Sequence, residues 1–460
     1  MIKNKYIILM ICTTALMSSC NIYKSYERPK VDTKGLYRDE AFKNDSIISD
    51  TNNFGNLPWK EVFKDTKLQA LIEEGLKQNV NLQISMLKIE EAKANLLASR
   101  LSFAPSFTLS PQGTLTSFDA NAPSKTYQLP ITASWEIDLF GNLRNVKEEA
   151  KANLLQSEAY SQAVKTQVIS NIANCYYTLL MLDSQVEITE KTSNIWEENI
   201  NTMKALKEAG LTNEAAISQS QANYYLVKAS LPTLNQQIRE TENSLSLLLG
   251  VVSQKIERGE LSNQKLPETF SLGLPLEILS NRPDVKQAEM ALMSAFYVKN
   301  KAISNFYPKI TLSGSAGWTN DGGSTIVNPA KFLASAVGSL TQPLFNKGIN
   351  IANLKITKAQ LEEASLAFQQ SILNAGVEVN NALYKYQTIS DRCIQRKQQI
   401  NSLNSAVEQT KKLMEYGSSN YLEVLTAQQS LLSAKLSEVQ DDFERIQAII
   451  SLYQALGGGR

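Results

Sequence analysis

The chain has 460 residues, 46 basic and 45 acidic, for a formal net charge of +1, with 43% hydrophobic and 8% aromatic residues. The even charge balance argues against a nucleic-acid binder, which carries a basic excess, and the apolar content argues against wholesale disorder. Histidine is absent, which removes the commonest general base and transition-metal ligand, and Cys12, Cys20, Cys175 and Cys393 form no CxxC or Cys/His spacing.

The opening MIKNKYIILMICTTALMSSC places Lys3 and Lys5 before an apolar run from Tyr6 to Met17. That pattern predicts a signal peptide over 1–19, too short for a spanning helix. Ser18-Ser19-Cys20 resembles a bacterial lipobox, in which the cysteine becomes the acylated first residue; Met17 stands where Leu is more usual. Acyl chains on Cys20 would hold the mature chain, beginning with a segment 20–65, to a membrane without a spanning helix. No later run reaches 18 uninterrupted apolar residues.

A first helix is expected over about 66–102. Strand character follows over 105–119, where Phe107, Leu109 and Leu115 alternate with polar residues, and over 124–139, where Tyr127, Leu129, Ile131, Ala133, Trp135, Ile137 and Leu139 take every second place. Residues 142–209 contain neither Gly nor Pro and predict one helix about 100 Å long at 1.5 Å per residue, a coiled-coil length. A returning helix is expected over 213–249, with Pro232 breaking or kinking it. After a linker over 251–275 the order recurs: a helix over about 283–304, strands over 307–320 and 329–343, a long helix over 349–416 interrupted by Gly376, and a returning helix over 418–456. Pro283 at a first helical position and Asp284 in the first turn suit a helix start, so Arg282-Pro283-Asp284 reads as structural.

This recurrence is a tandem duplication, 66–250 and 276–457. Phe103-Ala104-Pro105 echoes Phe306-Tyr307-Pro308, the prolines 203 residues apart; Asp138 to Gly141 echoes Pro343 to Asn346, the phenylalanines 205 apart; Gly210 and Gly417, like Leu249-Gly250 and Leu456-Gly457, are 207 apart. Alternating segments of about ten residues fit transmembrane strands, with Tyr127, Trp135, Tyr307 and Trp318 as candidates for the interfacial aromatic girdle. Soluble half-buried hairpins fit the alternation equally, and the lipobox favours the membrane. Four strands close no barrel, and an open edge in lipid leaves backbone groups unpaired, so several chains must pool their strands; three would give twelve.

Several motifs together resemble the TolC-type outer-membrane efflux factors, in the lipoprotein branch called NodT or OprM-like. They are Cys20 with Tyr26-Glu27-Arg28-Pro29, Trp135 through Gly141, Leu249-Gly250, Arg282 through Val285, Phe306-Tyr307-Pro308, Leu344-Phe345 with Gly348, and Gly417 through Gln428. The resemblance covers nearly all of the mature chain. It implies a mainly α fold with a membrane β-barrel part. In that fold, long coiled-coil helices form a periplasmic α-barrel, and a homotrimer pools four strands per chain into twelve. It implies outer-membrane lipid around the barrel and a lipid-anchored chain extending into the periplasm. It also implies passive, gated export of substrates delivered by an inner-membrane pump and a periplasmic adaptor, with no cofactor and no nucleic acid. The adaptor would dock at Gly210, Leu211 and Thr212, and at Gly417, Ser418 and Ser419, where the second turn has Ser in place of the family's Leu or Val. The periplasmic gate would use Leu422 and Glu423, with Thr426 where many members carry Asp. A ring of carboxylates would attract cations. The alternative is a non-conducting coiled-coil lipoprotein that tethers or spaces the envelope. An enzyme has no His, Ser-Lys, Gly-rich or metal constellation to rest on.

Overall fold

The computed structural model describes residues 23, 25–29, 54–117, 123–210, 212–267, 282–319, 331–416 and 421–459. The chain divides into two compact units: Met1–Val31 with Leu87–Glu158 and Gln287–Gln370, and Asp32–Met86 with Ala159–Lys286 and Ser371–Arg460. The elements run in the order α1 Thr66–Gln78, α2 Val80–Leu101, β1 Ser106–Leu109, β2 Gln112–Thr116, β3 Ser124–Ile137, α3 Asn142–Glu208 and α4 Glu214–Leu249. They repeat as α5 Pro283–Ser304, β4 Lys309–Thr319, β5 Lys331–Thr341, α6 Ile349–Glu415 and α7 Tyr421–Ala455. The fold is that of two repeats, each with long helices and two strand segments.

The two halves align with different offsets in different places. α2 and α5 have 22 residues each, 203 apart; α3 and α6 have 67 each, 207 apart. Gly141 and Gly348, both in the left-handed region at φ 74° and 78°, open the two long helices and keep the 207 spacing. The Trp135 indole donates to the Phe103 carbonyl and the Gln342 amide to the Phe306 carbonyl, each at 2.9 Å. Trp135 therefore corresponds to Gln342, again 207 on. The Phe140–Phe345 echo is out of step by two: Phe140 corresponds to Lys347, and Phe345 to Asp138.

In the first unit, β3 and β4 are the interior strands of an antiparallel sheet of order β1-β3-β4-β5, with β2 also on β3. β1 and β2 hold one continuous register against β3, from Ser106 opposite Ser134 to Thr116 opposite Ser124. The strand expected over 105–119 is in two pieces because Pro111 has no N–H to give; Ser110 N still reaches Pro130 O at 3.1 Å. β3 meets β4 from Gln128 opposite Thr319 to Ile137 opposite Ile310, so Leu129, Ile131, Ala133 and Trp135 face the same way as Trp318, Ala316, Gly314 and Leu312. β5 continues that face with Phe332, Ala334, Ala336 and Leu340. Gly317 is obligatory at this seam: a Cβ there would lie 2.2 Å from the Leu129 carbonyl oxygen. Tyr23 packs its ring where a side chain on Gly141 would point, Tyr26 meets Phe296 edge-on at 5.8 Å, and Arg28 pairs with Glu289 at 3.3 Å.

The second unit holds the main apolar core. α1 brings Leu68 and Ile72 against Ile169, Ile172, Tyr176, Leu179 and Leu180 of α3, Leu245 and Leu249 of α4, and Ile449, Ile450 and Tyr453 of α7. The helix expected over 66–102 breaks at Asn79, which is extended (φ −60°, ψ 121°). Its side chain accepts from Leu82 N at 3.1 Å and donates to Leu248 O at 2.8 Å, the capping chemistry that competes with helix continuation. α4 by contrast runs through Pro232 unbroken, because the proline is exposed and the Lys228 carbonyl it strands lies on an exposed residue.

A polar knot fastens the loop after α4. Asp65 accepts from Lys67 N and Leu68 N as the cap of α1, from the Tyr176 hydroxyl at 2.6 Å and from Gln264 at 2.8 Å, while Tyr176 also accepts from Gly259 N. Beside it Arg258 bridges Asp183 and Glu242, each at 2.5 Å. Burial pushes the Asp65 carboxyl up, but the four donated hydrogen bonds outweigh it and hold the group below the usual carboxylate range. A lowered folded pKa contributes stability that is complete above the unfolded value near 3.9 and is lost as pH falls through the folded value. Tyr176→Phe strands Asp65 and Gly259 N and is expected to cost about 1–3 kcal/mol at neutral pH. Thermal unfolding in detergent should show that deficit shrinking as the pH is taken below 4.

Candidate functional site

The first of the two matched turns closes α3 onto α4. Gly210 N donates to Lys207 O at 2.9 Å, and Gly210 sits at φ 75° with nothing within 4 Å of where a Cβ would be. Asn213 caps α4 by accepting from Ala216 N at 3.0 Å, and Lys207 pairs with Glu214 across the turn. Thr212 is half-buried and Gly210 exposed. Asn213 was legible as a helix-start residue, an Asx side chain just before a long run, yet the sequence reading did not single it out. Leu211, Gly417, Ser418 and Ser419 lie outside the described residues, as does Cys20.

The start of α7 carries Leu422, Glu423 and Thr426, all exposed. Leu422 and Thr426 are one turn apart and share a face, and the Thr426 hydroxyl donates to the Leu422 carbonyl at 2.8 Å. The opposite face is held down: Val424 and Leu425 are buried with Trp196, Met203, Ile217 and Val227 in a second, smaller core. This core draws on the helices of both repeats and fixes the rotation of α7. Gln428 is buried and accepts from Asn199 at 2.9 Å. Thr426 also lines an open cavity of about 400 Å³ with Arg396, Gln399, Gln429, Ser430 and Ser433. Arg396 in turn pairs with buried Asp441 at 3.0 Å, which Arg392 shares at 2.8 Å.

The lining of this cavity is polar: hydroxyls, amides and a paired guanidinium. Burial pushes the Cys175 and Cys393 thiols up, the wrong direction for a thiolate nucleophile. Among the described residues no group of three His, Cys, Asp or Glu side chains is arranged to hold a metal ion.

Of the girdle candidates, Trp135 and Trp318 are exposed on the sheet, Trp318 meeting Phe332 edge-on at 6.0 Å. Tyr307 instead stacks on Phe140 at 5.2 Å. No helix among the described residues is long and apolar enough to cross a membrane.

A sheet with one apolar face joined to very long duplicated helices defines a class, that of outer-membrane export ducts. The family model "Outer membrane efflux protein" matches residues 71–251 and 274–458, one copy on each repeat, and the chain belongs to that family. It is similar to the cation efflux system protein CusC of Escherichia coli, 27% identical over 462 residues and 98% of both chains. It is also similar to the solvent efflux pump outer membrane protein SrpC of Pseudomonas putida, 27% identical over 411 residues and 87% of both. The open-state crystal structure of the Neisseria gonorrhoeae MtrE outer membrane channel superposes with a TM-score of 0.86 at 25% identity, covering 96% of this chain and 98% of that one. The protein is an outer-membrane lipoprotein channel of an efflux system extending into the periplasm, and not an enzyme.

Replacing Gly210 by Val keeps the open space but forces a β-branched residue into the left-handed region, at about 1–2 kcal/mol. Hydrogen exchange is expected to show faster opening of the Ala205–Ala216 turn with the Tyr176 region unchanged.

Proposed function

We propose that three copies of the chain pool their strands into a closed twelve-stranded barrel and act as a passive duct for substrates handed over by an inner-membrane pump and a periplasmic adaptor. The observation that carries this reading is the sheet itself: its apolar face is exposed, and among the described residues β1, β2 and β5 each have a partner on one side only. In hydrocarbon such edges must be paired. Cys20 is the acylation point. Three residues at up to about 3.6 Å each keep it within roughly 11 Å of Tyr23, which packs beside Gly141 at the end of β3.

The adaptor docks on the turns Gly210–Leu211–Thr212 and Gly417–Ser418–Ser419. The periplasmic gate is built from Leu422, Glu423 and Thr426, the exposed face of a helix whose other face is locked. Thr426 contributes a hydroxyl where a carboxylate would raise cation selectivity, which leaves Glu423 as the acidic contribution.

Native mass spectrometry of the complex extracted from outer membranes is expected to give three chains, each heavier by its acyl groups, with that increment absent in Cys20→Ala. A lone chain would sink the duct and return the tethering coiled coil. Leu422→Ser is expected to raise resting conductance in planar bilayers severalfold by removing an apolar constriction; unchanged conductance would remove Leu422 from the gate.

A further inference from the structure

The cavity beside the candidate gate lies between the two helices of repeat two. Arg396 and Gln399 of α6 line one side, and Thr426, Gln429, Ser430 and Ser433 of α7 the other. Residues 426, 430 and 433 follow one another at spacings of four and three, so their hydroxyls form a stripe along one face of α7. Arg396 is the one charged side chain of the lining, and no carboxylate belongs to it.

Several of these groups are hydrogen-bond donors with nothing to donate to among the described residues. Arg396 gives Nε to buried Asp441 at 3.0 Å and Nη1 to the Gln399 side-chain oxygen at 2.8 Å, which leaves Nη2 without a partner there. Asp441 thereby fixes the guanidinium in place, and Gln399, its oxygen occupied, keeps its amide N–H groups to give. Hydroxyls nearby turn back onto their own helix: Thr410 donates to Ala406 O at 2.7 Å, Ser437 to Ser433 O at 2.8 Å and Thr426 to Leu422 O at 2.8 Å. The side chains of Ser430, Ser433 and Gln429 make no hydrogen bond among the described residues.

The duplication supplies a contrast. At the offset of 207, Arg396 and Gln399 correspond to Thr189 and Thr192, whose hydroxyls donate back to Gln185 O and Ile188 O at 2.6 and 2.7 Å. Thr426, Ser430 and Ser433 correspond to Gln219, Asn223 and Leu226. The guanidinium and the hydroxyl stripe occur together only in repeat two.

We propose that this cavity binds an oxyanion group, a sulfate, sulfonate, phosphate or carboxylate, held by Arg396 and the hydroxyls of Ser430 and Ser433. A guanidinium presents its N–H groups in the geometry of an oxyanion, and the neutral donors around it complete the shell. The volume of about 400 Å³ is that of a small-molecule site. This rests on the reading that the face of α7 with Leu422 and Thr426 lines the duct, and it gives that face a preference for acidic cargo. Thr426 is what permits it: a carboxylate at 426 would stand in the cavity and repel the ligand. Glu423 lies one turn towards the start of α7, outside the lining.

The test is isothermal titration of the full-length protein, extracted from outer membranes in non-ionic detergent, with sodium sulfate and separately with sodium benzenesulfonate. Ionic strength is held constant with sodium chloride. Saturable binding is expected, weakened about tenfold in the double variant Ser430→Ala with Ser433→Ala and at least as much in Thr426→Asp. Both serines are exposed, so their loss spares the fold, whereas Arg396→Gln would also strand buried Asp441. Binding of either ligand with both losses upholds the site. Benzenesulfonate among the ligands identifies an organic acid as its occupant, and sulfate alone an inorganic ion. No saturable binding by the unaltered protein, or unchanged affinity in either variant, overturns the proposal. The conductance of Leu422→Ser reads the gate separately: unchanged conductance with sulfate binding intact removes the gate and leaves the site, and raised conductance without binding removes the site alone.

Discussion

A peptide N–H or C=O left unpaired in hydrocarbon costs several kcal/mol, and the architecture follows from that cost. Two strands satisfy it within the chain: β4 lies between β3 and β5, and β3 has β1 and β2 on one edge and β4 on the other. β3 does so despite carrying Pro130, which lies opposite Gly317 in the register. The proline brings no N–H and the glycine no Cβ, so the two backbones approach where any other residue at 317 would collide with Leu129. A defect in hydrogen bonding is thus matched by a residue that allows close approach. Among the described residues β1, β2 and β5 have a partner on one side only.

The helical part obeys a different rule. Its core is sealed by side chains, and several of its buried charged groups are gathered into knots of matched donors and acceptors. Asp65 accepts four hydrogen bonds, two of them from the first turn of its own helix, and Arg258 answers two carboxylates. Arg282 does the same for the start of α5: it donates to Asp284 at 2.7 Å, to Glu378 at 2.6 Å and to the Ala455 carbonyl at 2.8 Å, tying the start of one helix to the end of another. Such pairs are retained at a desolvation cost, and here each one fastens a loop or helix end that apolar packing alone would leave free to slide.

The long helices, the alternating strands and the duplication were legible because each is a periodic property of many residues. What escaped depended on single side chains with distant partners. Asn79 breaks a helix whose local sequence favours continuation, because its amide reaches Leu248, 169 residues away. Pro111 interrupts a strand without changing its register. Pro232, expected to break or kink its helix, does not break it, since its exposed position tolerates the lost hydrogen bond. The echo of Phe140 in Phe345 was a likeness of letters: the matched backbone hydrogen bonds of Trp135 and Gln342 and the left-handed Gly141 and Gly348 place the true correspondence two residues further on. Of the candidate gate, the sequence identified which residues lie on α7. That Leu422, Glu423 and Thr426 point outward follows only once Val424 and Leu425 are seen in a core with Trp196 and Met203.

The same logic explains why neither long helix shows one strong apolar stripe. A helix with neighbours on two flanks divides its apolar residues into two stripes whose directions partly cancel, unlike a surface helix with a single buried face. α3 has both flanks covered within the chain, and Ile195 is its one large apolar side chain left exposed among the described residues. α6 buries one stripe, Phe368, Ile372, Ala375, Val379 and Ile389, and leaves a second exposed through Leu366, Leu373, Val377, Tyr384 and Ile394. Duplication gave both helices the same length and the same two flanks. The difference in exposure between them is the difference between a helix covered on both flanks within the chain and one that buries a single stripe there.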